Sequence, residues 1–381
     1  MTERCAVIGV GQTRYQRARD DVSMPGLVRE AAARALEDAD LAWTDIDAVV
    51  TGKAPDAFEG VVQPEYFLAD ALGASGKPLL RVHTAGSVGA STFIAAAHMV
   101  RSGKFERVLA VAWEKQSEGN AQWGLSGARS RGTGAGGYFA PWLKTYISES
   151  KAPDHIGWLV AVKDRLNALK NPYSHLRLAD ITVEKVAASP MLWDPIRFLE
   201  SCPSSDGAAA VGLTNEAGAG RAARSPAWVA GAAVRSELGS FPGRDPVRPQ
   251  AAFDCARDAY RQAGITDPGR EIDVAELYVP FSWLEPIWLE THGIAADGDG
   301  WRLTEDETTK LDGSFPVNPS GGVLSSNPIG ASGMIRCVEA VLQVRGDAGE
   351  HQVDGVRTAL AHAYGGSAQY FADIVFRAAK P

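Results

Sequence analysis

Short apolar runs alternate with amphipathic segments along the first part of the chain. Residues 6–10, Ala-Val-Ile-Gly-Val, predict a buried strand, and the apolar spacing over residues 27–41 predicts a helix. The run at residues 46–50 predicts the next strand. Because strands and helices alternate, the pattern indicates an α/β fold with mainly parallel or mixed sheets covered by helices.

The same succession occurs a second time in the C-terminal part of the chain. Its strand, helix and strand are predicted at residues 227–231, 252–265 and 272–276. Each half also has a Gly/Ser-rich turn that opens a helix, at residues 86–91 and 330–333. Such an internal repeat predicts a duplicated fold, with an N-terminal half at residues 1–222 and a C-terminal half at residues 223–381.

A long excursion, at about residues 115–200, interrupts the first half. It is rich in glycine and aromatic residues at first and then has a helical pattern. Long insertions on a rigid scaffold often cover a binding site, and this is one interpretation of the segment. An elaborated dimer or surface loop is an equally good alternative.

Composition and charge narrow the class of protein. The 381 residues are 45% hydrophobic and 22% charged, the net charge is −8, and no long Lys/Arg block occurs, so nucleic acid is not an expected partner. The four cysteines are far apart and show no Cys-x-x-Cys spacing, which indicates a reducing compartment without a zinc or disulfide framework. With no signal-peptide pattern and no run of ~18 apolar residues, we expect a soluble cytoplasmic protein without a membrane span.

Several motifs lie between the predicted elements: Asn171-Pro172-Tyr173, Cys202-Pro203-Ser204-Ser205-Asp206-Gly207, and Asn318-Pro319-Ser320-Gly321-Gly322, followed by Asn327-Pro328-Ile329-Gly330. Together they resemble the thiolase superfamily, in particular the sterol-carrier-protein type, from the opening strand to Phe371. The resemblance implies a duplicated thiolase fold, in which two βαβαβ-type halves form a five-layered αβαβα arrangement with an inserted loop domain.

The resemblance also implies a nucleophilic cysteine in a motif of the form Asn-x-x-Cys-x-Ser-Gly. The matching stretch, residues 83–89, reads His-Thr-Ala-Gly-Ser-Val-Gly and places Gly86 at the cysteine position. Gly86 is expected to keep the helix N-terminus and to open space where an acyl-cysteine would stand, with Ser87 also contacting the substrate. Ser87 is a weak substitute nucleophile, because a serine needs an adjacent general base. His83 is a candidate donor or binding residue, and Cys202 is interpreted as structural.

Three further positions of thiolase chemistry are changed. Asn327 replaces the histidine that binds the thioester oxygen, and an amide N–H can still donate to an oxyanion. Tyr364 replaces the second catalytic cysteine, and Tyr278 replaces the histidine of the His-Asp-Cys-Phe segment. Gly330 and Gly365, in the adjoining turns, are expected to contact the substrate.

Two phenols and an amide suit a retro-aldol cleavage, which needs proton transfer and enolate stabilisation but no acyl carrier. This pattern resembles the thiolase-like aldolases of bacterial steroid side-chain degradation. The resemblance implies a 17-hydroxy steroid 20-carboxyl-CoA as substrate, with a 17-keto steroid and propionyl-CoA as products. It further implies a small partner with an OB fold and a zinc ribbon, and a homodimer core within a heterotetramer. No cofactor or metal is expected in this chain, and any zinc would lie in the partner.

Other interpretations of these residues stay open. A buried tyrosine is usually a core residue with a satisfied hydroxyl, and Asn327 could cap the turn at Pro328. As a base, Tyr278 or Tyr364 would need neighbours that lower its pKa from ~10, and the two roles of acid and base are not assigned. The alternatives to an aldolase are a catalytically silent homologue that serves as scaffold or acyl-CoA-binding subunit, and an acyltransferase that uses Ser87.

Overall fold

The computed structural model describes residues 3–119, 134–239, 243–245 and 247–381. The strands are β1 (Cys5–Gln12), β2 (Ala48–Gly52), β3 (Leu79–Val82), β4 (Arg107–Lys115), β5 (Met191–Trp193), β6 (Ile196–Arg197), β7 (Asp206–Asn215), β8 (Ala227–Ser236), β9 (Val274–Glu276), β10 (Thr358–Gly365) and β11 (Tyr370–Arg377). The α-helices are α1 (Met24–Ala39), α2 (Leu68–Ala71), α3 (Val88–Arg101), α4 (Gly134–Ser150), α5 (His155–Asn167), α6 (Val183–Ala188), α7 (Glu216–Ala219), α8 (Gln250–Ala263), α9 (Pro268–Glu271), α10 (Leu284–Thr291), α11 (Gly300–Glu305), α12 (Gly322–Ser325) and α13 (Ile329–Arg345).

Each half of the chain builds the same arrangement of strands. The order is β3-β2-β4-β7-β1 in the first half and β8-β11-β10-β9 in the second, and β1 pairs with β8 to join them. In both halves one parallel pair, β2–β4 or β9–β10, is followed by two antiparallel pairs. Val317 makes a parallel bridge to Ala275 at the position that β3 occupies beside β2. The predicted duplicated α/β fold with mixed sheets is therefore confirmed.

Helices lie on both faces of the two half-sheets. Helix α1 covers β1 and β7 on one side, and α8 covers β8 and β11 on the other. Helices α3 and α13 pack on each other between the half-sheets, which gives the five layers of the predicted arrangement. Their close approach depends on Gly89, where an added β-carbon would lie 2.3 Å from the backbone nitrogen of Met334.

The two outer helices illustrate why the repeat is visible in the sequence. Helix α1 begins after Ser23, whose hydroxyl accepts a hydrogen bond from the Gly26 N–H, and it buries an alanine- and leucine-rich face. It ends at Asp40 with φ of 54°, and α8 ends at Gly264 with φ of 68°. A left-handed residue at this point satisfies the last carbonyl groups and stops the helix.

The described part of the excursion lies against the second half. The described part consists of α4, α5, α6 and the β5–β6 hairpin. The Lys163 ammonium of α5 donates to Glu285 at 2.6 Å, and the Phe139 ring of α4 packs on Tyr364 with ring centroids 5.8 Å apart. Helix α4 therefore covers the end of β10. Across the described ranges, no helix is both long and apolar enough to cross a membrane.

Candidate active site

Two phenols and a glycine turn meet where the two halves face each other. Tyr278 follows β9 and Tyr364 lies at the end of β10, and since these strands are parallel, their carboxyl ends share one edge. The two rings pack edge to face with centroids 5.3 Å apart and an interplanar angle of 78°. The turn before α3 brings Gly86 against them, so three predicted residues from distant parts of the sequence are brought together.

The space beside Gly86 differs from the predicted open space. A β-carbon added at Gly86 would lie 3.4 Å from the Tyr278 hydroxyl oxygen and 3.1 Å from the Tyr364 carbonyl oxygen. A cysteine here would have its side chain against the Tyr278 phenol. The expectation of open space at this position was wrong, because a phenol occupies the volume next to the turn.

Two other predicted glycines allow close backbone approaches. A β-carbon at Gly365 would lie 2.4 Å from the Ser87 nitrogen and 2.6 Å from the Gly86 nitrogen. A β-carbon at Gly330 would lie 2.3 Å from the carbonyl oxygen of Trp113. Gly365 therefore holds the end of β10 on the turn before α3, and Gly330 packs the start of α13 on β4.

A chain of polar groups leads away from the phenols through Asn327. The Asn327 side-chain oxygen accepts from the Ser332 hydroxyl at 2.8 Å, and its amide nitrogen donates to the Cys202 sulfur at 3.1 Å. Its backbone N–H donates to Ser205 at 3.1 Å. The amide is thus fixed in orientation, and because an amide nitrogen carries two hydrogens, one N–H donor is left for a ligand.

Sequence reasoning misses two members of this chain, Ser332 and Cys202. Ser332 stands in the Gly/Ser-rich turn at the start of α13, but the turn pattern assigns no role to its hydroxyl. The expected structural role of Cys202 is incomplete, since its thiol reaches Asn327. Burial raises the pKa of the Cys202 thiol to about 11, so the sulfur stays protonated at neutral pH and is not an activated nucleophile.

Burial raises the pKa of both phenols above their ordinary value. For Tyr278 the Cys202 sulfur adds to this effect, while a hydrogen bond with Ser332 opposes it. For Tyr364 the neighbouring Tyr278 and Cys202 add to it. The direction is opposite to the lowering that a resting base would need, so both phenols are neutral proton donors near pH 7.

The remaining two predicted residues, His83 and Ser87, lie at the edge of this group. The His83 side chain is exposed and, among the described residues, makes no hydrogen bond to either phenol; partial burial and Arg81 lower its pKa. The Ser87 hydroxyl is buried and donates to the Thr84 carbonyl at 2.8 Å. Ser87 is therefore engaged with the backbone of its own turn.

Trp288 and His362 contact the two tyrosines on their buried side, and the group they form with His292 and Asp373 is called the wall below. The Trp288 indole donates to the Tyr278 carbonyl at 2.9 Å, and its ring lies 5.0 Å from the Tyr364 ring. The Tyr278 N–H donates to His362 at 3.4 Å. Within the residues that the structure describes, the one group of side chains with metal-ligating spacing lies in this wall, formed by His362, His292 and Asp373.

Comparison with known proteins identifies the family. The model of the thiolase N-terminal domain matches residues 5–132, and that of the thiolase C-terminal domain-like family matches residues 236–378. The acetyl-CoA acetyltransferase of Methanothermobacter thermautotrophicus is 32% identical over 95% of this chain and 96% of its own length. Human sterol carrier protein 2 is 28% identical over 95% of this chain and 70% of its own length. The chain belongs to the thiolase superfamily.

A solved structure extends the likeness to a different chemistry. The structure of the Ltp2-ChsH2(DUF35) aldolase superposes with a TM-score of 0.86 at 25% identity, covering 99% of this chain and 98% of the other. The predicted family and fold are therefore confirmed. Relatives of this chain include proteins named for acyl transfer and one named as an aldolase, so the residues of the site decide between the two reactions.

Proposed function

We propose that the chain is a carbon–carbon lyase that cleaves a β-hydroxyacyl-CoA by a retro-aldol reaction. The observation that carries the proposal is the Tyr278 phenol, which lies where the side chain of a nucleophile at residue 86 would extend. Residue 86 can hold no acyl group, and Ser87 is turned to the backbone. Two proton-bearing groups, Tyr278 and Tyr364, stand in their place.

The proton balance of the reaction suits two neutral phenols. The β-hydroxyl gives its proton to one phenol oxygen as that phenol releases its own proton, the Cα–Cβ bond breaks, and its electron pair moves into the thioester to form an enolate. The released phenol proton goes to the enolate carbon, so the hydroxyl proton lost and the C–H proton gained balance and no phenol carries two protons. This coupled transfer avoids a resting phenolate, which the raised pKa values of Tyr278 and Tyr364 disfavour.

Charge on the thioester oxygen needs donors that are in place before the bond breaks. The free N–H of the Asn327 amide is one such donor. Removing a single donor of this kind costs on the order of 3 kcal/mol in the barrier. Asn327→Ala is therefore expected to lower kcat without unfolding the protein.

The substrate class is carried over from the resemblance to the thiolase-like aldolases of steroid side-chain degradation, and the reaction type agrees with it. A tertiary β-alcohol cannot be oxidised to a ketone, so a carbon chain that bears one must be cut by an aldol rather than a thiolytic route. Phe139 and Trp288 pack on the Tyr364 ring and Phe281 packs on Phe139, so the phenols stand in apolar surroundings. We assign a 17-hydroxy steroid 20-carboxyl-CoA, cleaved to a 17-keto steroid and propionyl-CoA.

Assembly with other subunits is part of the proposal. The name Ltp2-ChsH2(DUF35) aldolase joins two components, and we propose a small partner with an OB fold and a zinc ribbon for this chain too. Strand β3 is a sheet edge with Leu80 half-exposed, and Tyr66 and Phe67 are exposed near it, joined to the strand by the Glu65–Arg81 ion pair. Unpaired edges of this kind are available for pairing, and we assign β3 to a homodimer contact.

The decisive experiment asks whether cleavage requires free coenzyme A. The full chain, alone and co-expressed with a small zinc-ribbon and OB-fold protein, is incubated with a tertiary β-hydroxyacyl-CoA, and ketone and propionyl-CoA are quantified by mass spectrometry. Aldol cleavage proceeds without added coenzyme A, whereas thiolysis and acyl transfer require an acceptor. Ketone release without coenzyme A supports the proposal. An acyl adduct on the chain would indicate an acyltransferase, and no turnover of any such substrate would indicate a silent scaffold.

A further inference from the structure

A buried arginine of the excursion contacts two segments that lead into the candidate active site. Arg165 lies near the end of α5 and is 1% exposed. One Nη atom of its guanidinium donates to the Leu324 carbonyl at 2.6 Å, and the other donates to the carbonyls of Leu199 and Ser201 at 3.3 Å and 3.1 Å. No step of the proposed reaction uses this side chain.

The first of these segments leads to Asn327. Leu324 belongs to α12, which ends at Ser325, and Asn327 follows two residues later. The Ser325 hydroxyl donates to the Asp164 carbonyl at 3.3 Å, so α5 contacts this turn through a backbone group as well. Arg165 therefore fixes the position of the turn from which the Asn327 amide extends.

The second segment leads to Cys202 and lies beside the residues that follow Tyr278. The Cys202 N–H donates to the carbonyl of Pro280, two residues after Tyr278, at 2.9 Å. The Cys202 sulfur accepts from the Asn327 amide at 3.1 Å. Because one guanidinium contacts both segments, Arg165 holds the two ends of the Asn327–Cys202 hydrogen bond in place.

The charge of Arg165 forms no ion pair with a carboxylate in the described part of the chain. The adjacent Asp164 carboxylate faces Lys163 at 3.3 Å and accepts from Asn318 at 3.2 Å. Burial lowers the pKa of Arg165 to about 10, while Asp164 and Cys202 oppose this effect, so the guanidinium stays positive at neutral pH. A buried charge is costly to remove from water, and here carbonyl dipoles compensate it. A substitution that removes these contacts therefore acts on both segments at once.

We propose that Arg165 is a positioning residue for the carbon–carbon cleavage, which orients the Asn327 amide toward the thioester oxygen by fixing both ends of the Asn327–Cys202 contact. This inference rests on the proposed function of the chain. Arg165 touches no reacting atom and acts through the Asn327 amide. The planar fork of a guanidinium suits this role because its two Nη atoms reach two segments at once, whereas a lysine ammonium is a single point charge.

Two substitutions separate the fork of Arg165 from its charge. Arg165→Gln removes both and is expected to lower kcat for ketone release by ~10–100-fold with KM within about threefold, because a displaced donor acts on the transition state more than on binding. Arg165→Lys keeps the charge and loses the fork, so its kcat is expected to lie between the two. Arg345→Gln is the matched control and should keep the kcat of the unmodified protein. The Arg345 side chain is also 1% exposed, but it pairs with Asp38 at the far end of α13.

A double-mutant cycle shows whether Arg165 acts through Asn327. Asn327→Ala alone removes the donor. Adding Arg165→Gln to it is expected to lower kcat by no more than about a further threefold, since the amide that Arg165 positions is already absent. A merely structural role of Arg165 predicts instead that the two losses multiply.

A second readout does not depend on cleavage. Propionyl-CoA with an isotopic label in its thioester carbonyl is bound to the full chain, and the carbonyl stretching frequency is measured by difference infrared spectroscopy. A hydrogen bond from the Asn327 amide lowers this frequency. The lowering is expected in the unmodified protein and in Arg345→Gln, and its loss is expected in Asn327→Ala and in Arg165→Gln.

The outcomes separate this inference from the proposed function. If the unmodified protein releases ketone and Arg165→Gln keeps full kcat, or if the losses in the cycle multiply, the positioning role is wrong and the proposed function stands. If no ketone is released, the proposed function fails, and the carbonyl frequency decides whether Arg165 orients Asn327. A chain that neither cleaves the substrate nor binds propionyl-CoA overturns both. Should Arg165→Gln fail to fold, an unchanged kcat and carbonyl frequency in Arg165→Lys would overturn the role of the fork.

Discussion

The carboxyl ends of β2 and β4 in the first half correspond to those of β9 and β10 in the second. The first pair of ends carries a buried charge cluster, in which the Lys53 ammonium lies 3.4 Å from Glu59 and 3.6 Å from Glu114. The second pair carries the two phenols, Tyr278 and Tyr364. One scaffold thus presents two different kinds of side chain at equivalent edges.

The difference shows that the two halves of a duplicated fold can take different roles, one in stability and the other in the reaction. In the first half Lys53 and its two carboxyl groups face one another, and Trp113 donates to Glu59. In the second half the phenols face Gly86, which the first half contributes. The first half therefore supplies the sheet edge with the charge cluster and the turn at Gly86. The second half supplies Tyr278 and Tyr364, the groups that transfer protons.

The largest expected effect comes from the phenols. Tyr278→Phe and Tyr364→Phe each remove a proton carrier and are expected to lower kcat by ~10²–10⁴-fold, the usual range for general acid–base groups. The measurement is ketone release from a tertiary β-hydroxyacyl-CoA, with circular dichroism to confirm folding. Tyr15→Phe is the control, because its buried hydroxyl donates to Gln12 in the first half, away from the phenols. Full rate in both site variants would show that the phenols do not transfer protons.

The charge cluster predicts the next effect, on stability rather than on rate. Burial raises the pKa of Glu114 from 4.5 to about 8, Glu59 adds to this, and Lys53 opposes it. A raised carboxyl pKa gives a stabilising contribution that is full below pH 4.5 and is lost as the pH rises through about 8. Between pH 5 and pH 8 the unmodified protein should lose roughly 3 kcal/mol of stability through Glu114, and Glu114→Gln should not show this loss.

Urea unfolding of the unmodified protein and Glu114→Gln at several pH values gives this difference directly. Glu350→Gln, at an exposed position, should follow the unmodified protein. Parallel curves for Glu114→Gln and the unmodified protein would mean that the pKa of Glu114 is not raised by folding.

The scaffold can be predicted well from the sequence because the repeat is written in local patterns. The apolar spacing over residues 27–41 and 252–265 is visible within a few helical turns, and α1 and α8 form there. Tyr278 and Tyr364 can be found from the sequence because the motifs around them align with motifs of the thiolase family, and each tyrosine stands where a thiolase has a catalytic residue.

What does not emerge from the sequence depends on contacts between distant segments. The link from Ser332 through Asn327 to Cys202 joins three segments that no periodicity connects. The phenol beside Gly86 and the raised pKa of both tyrosines arise from packing of one half on the other. The local hydrophobic pattern predicts which face of a helix or strand is buried, but it does not predict which polar side chains form hydrogen bonds with each other.

A smaller effect on kcat is expected from a substitution at Gly86, in the turn before α3. Gly86→Ala places a β-carbon 3.1 Å from the Tyr364 backbone carbonyl oxygen, which must give by a few tenths of an ångström, and 3.4 Å from the Tyr278 hydroxyl, an ordinary contact. A shift of this size in the backbone that carries Tyr364 is expected to cost about tenfold in kcat. In the control Gly220→Ala, the nearest atom lies 3.6 Å from the added carbon. If Gly86→Ala kept full activity, the contact between the first-half turn and the phenols would carry no functional weight.

The smallest effect is expected at Ser87, the residue that an acyltransferase would need. Its buried hydroxyl donates to the Thr84 carbonyl, so Ser87→Ala should cost about 1 kcal/mol of stability, the net value of a typical hydrogen bond. Ketone release should stay within about threefold of the unmodified protein, because no step of the proposed reaction uses a hydroxyl there. Mass spectrometry of the intact chain after incubation with acyl-CoA should find no adduct in either protein. A Ser87-dependent adduct would assign chemistry to the first half and remove the contrast between a scaffold half and a reacting half.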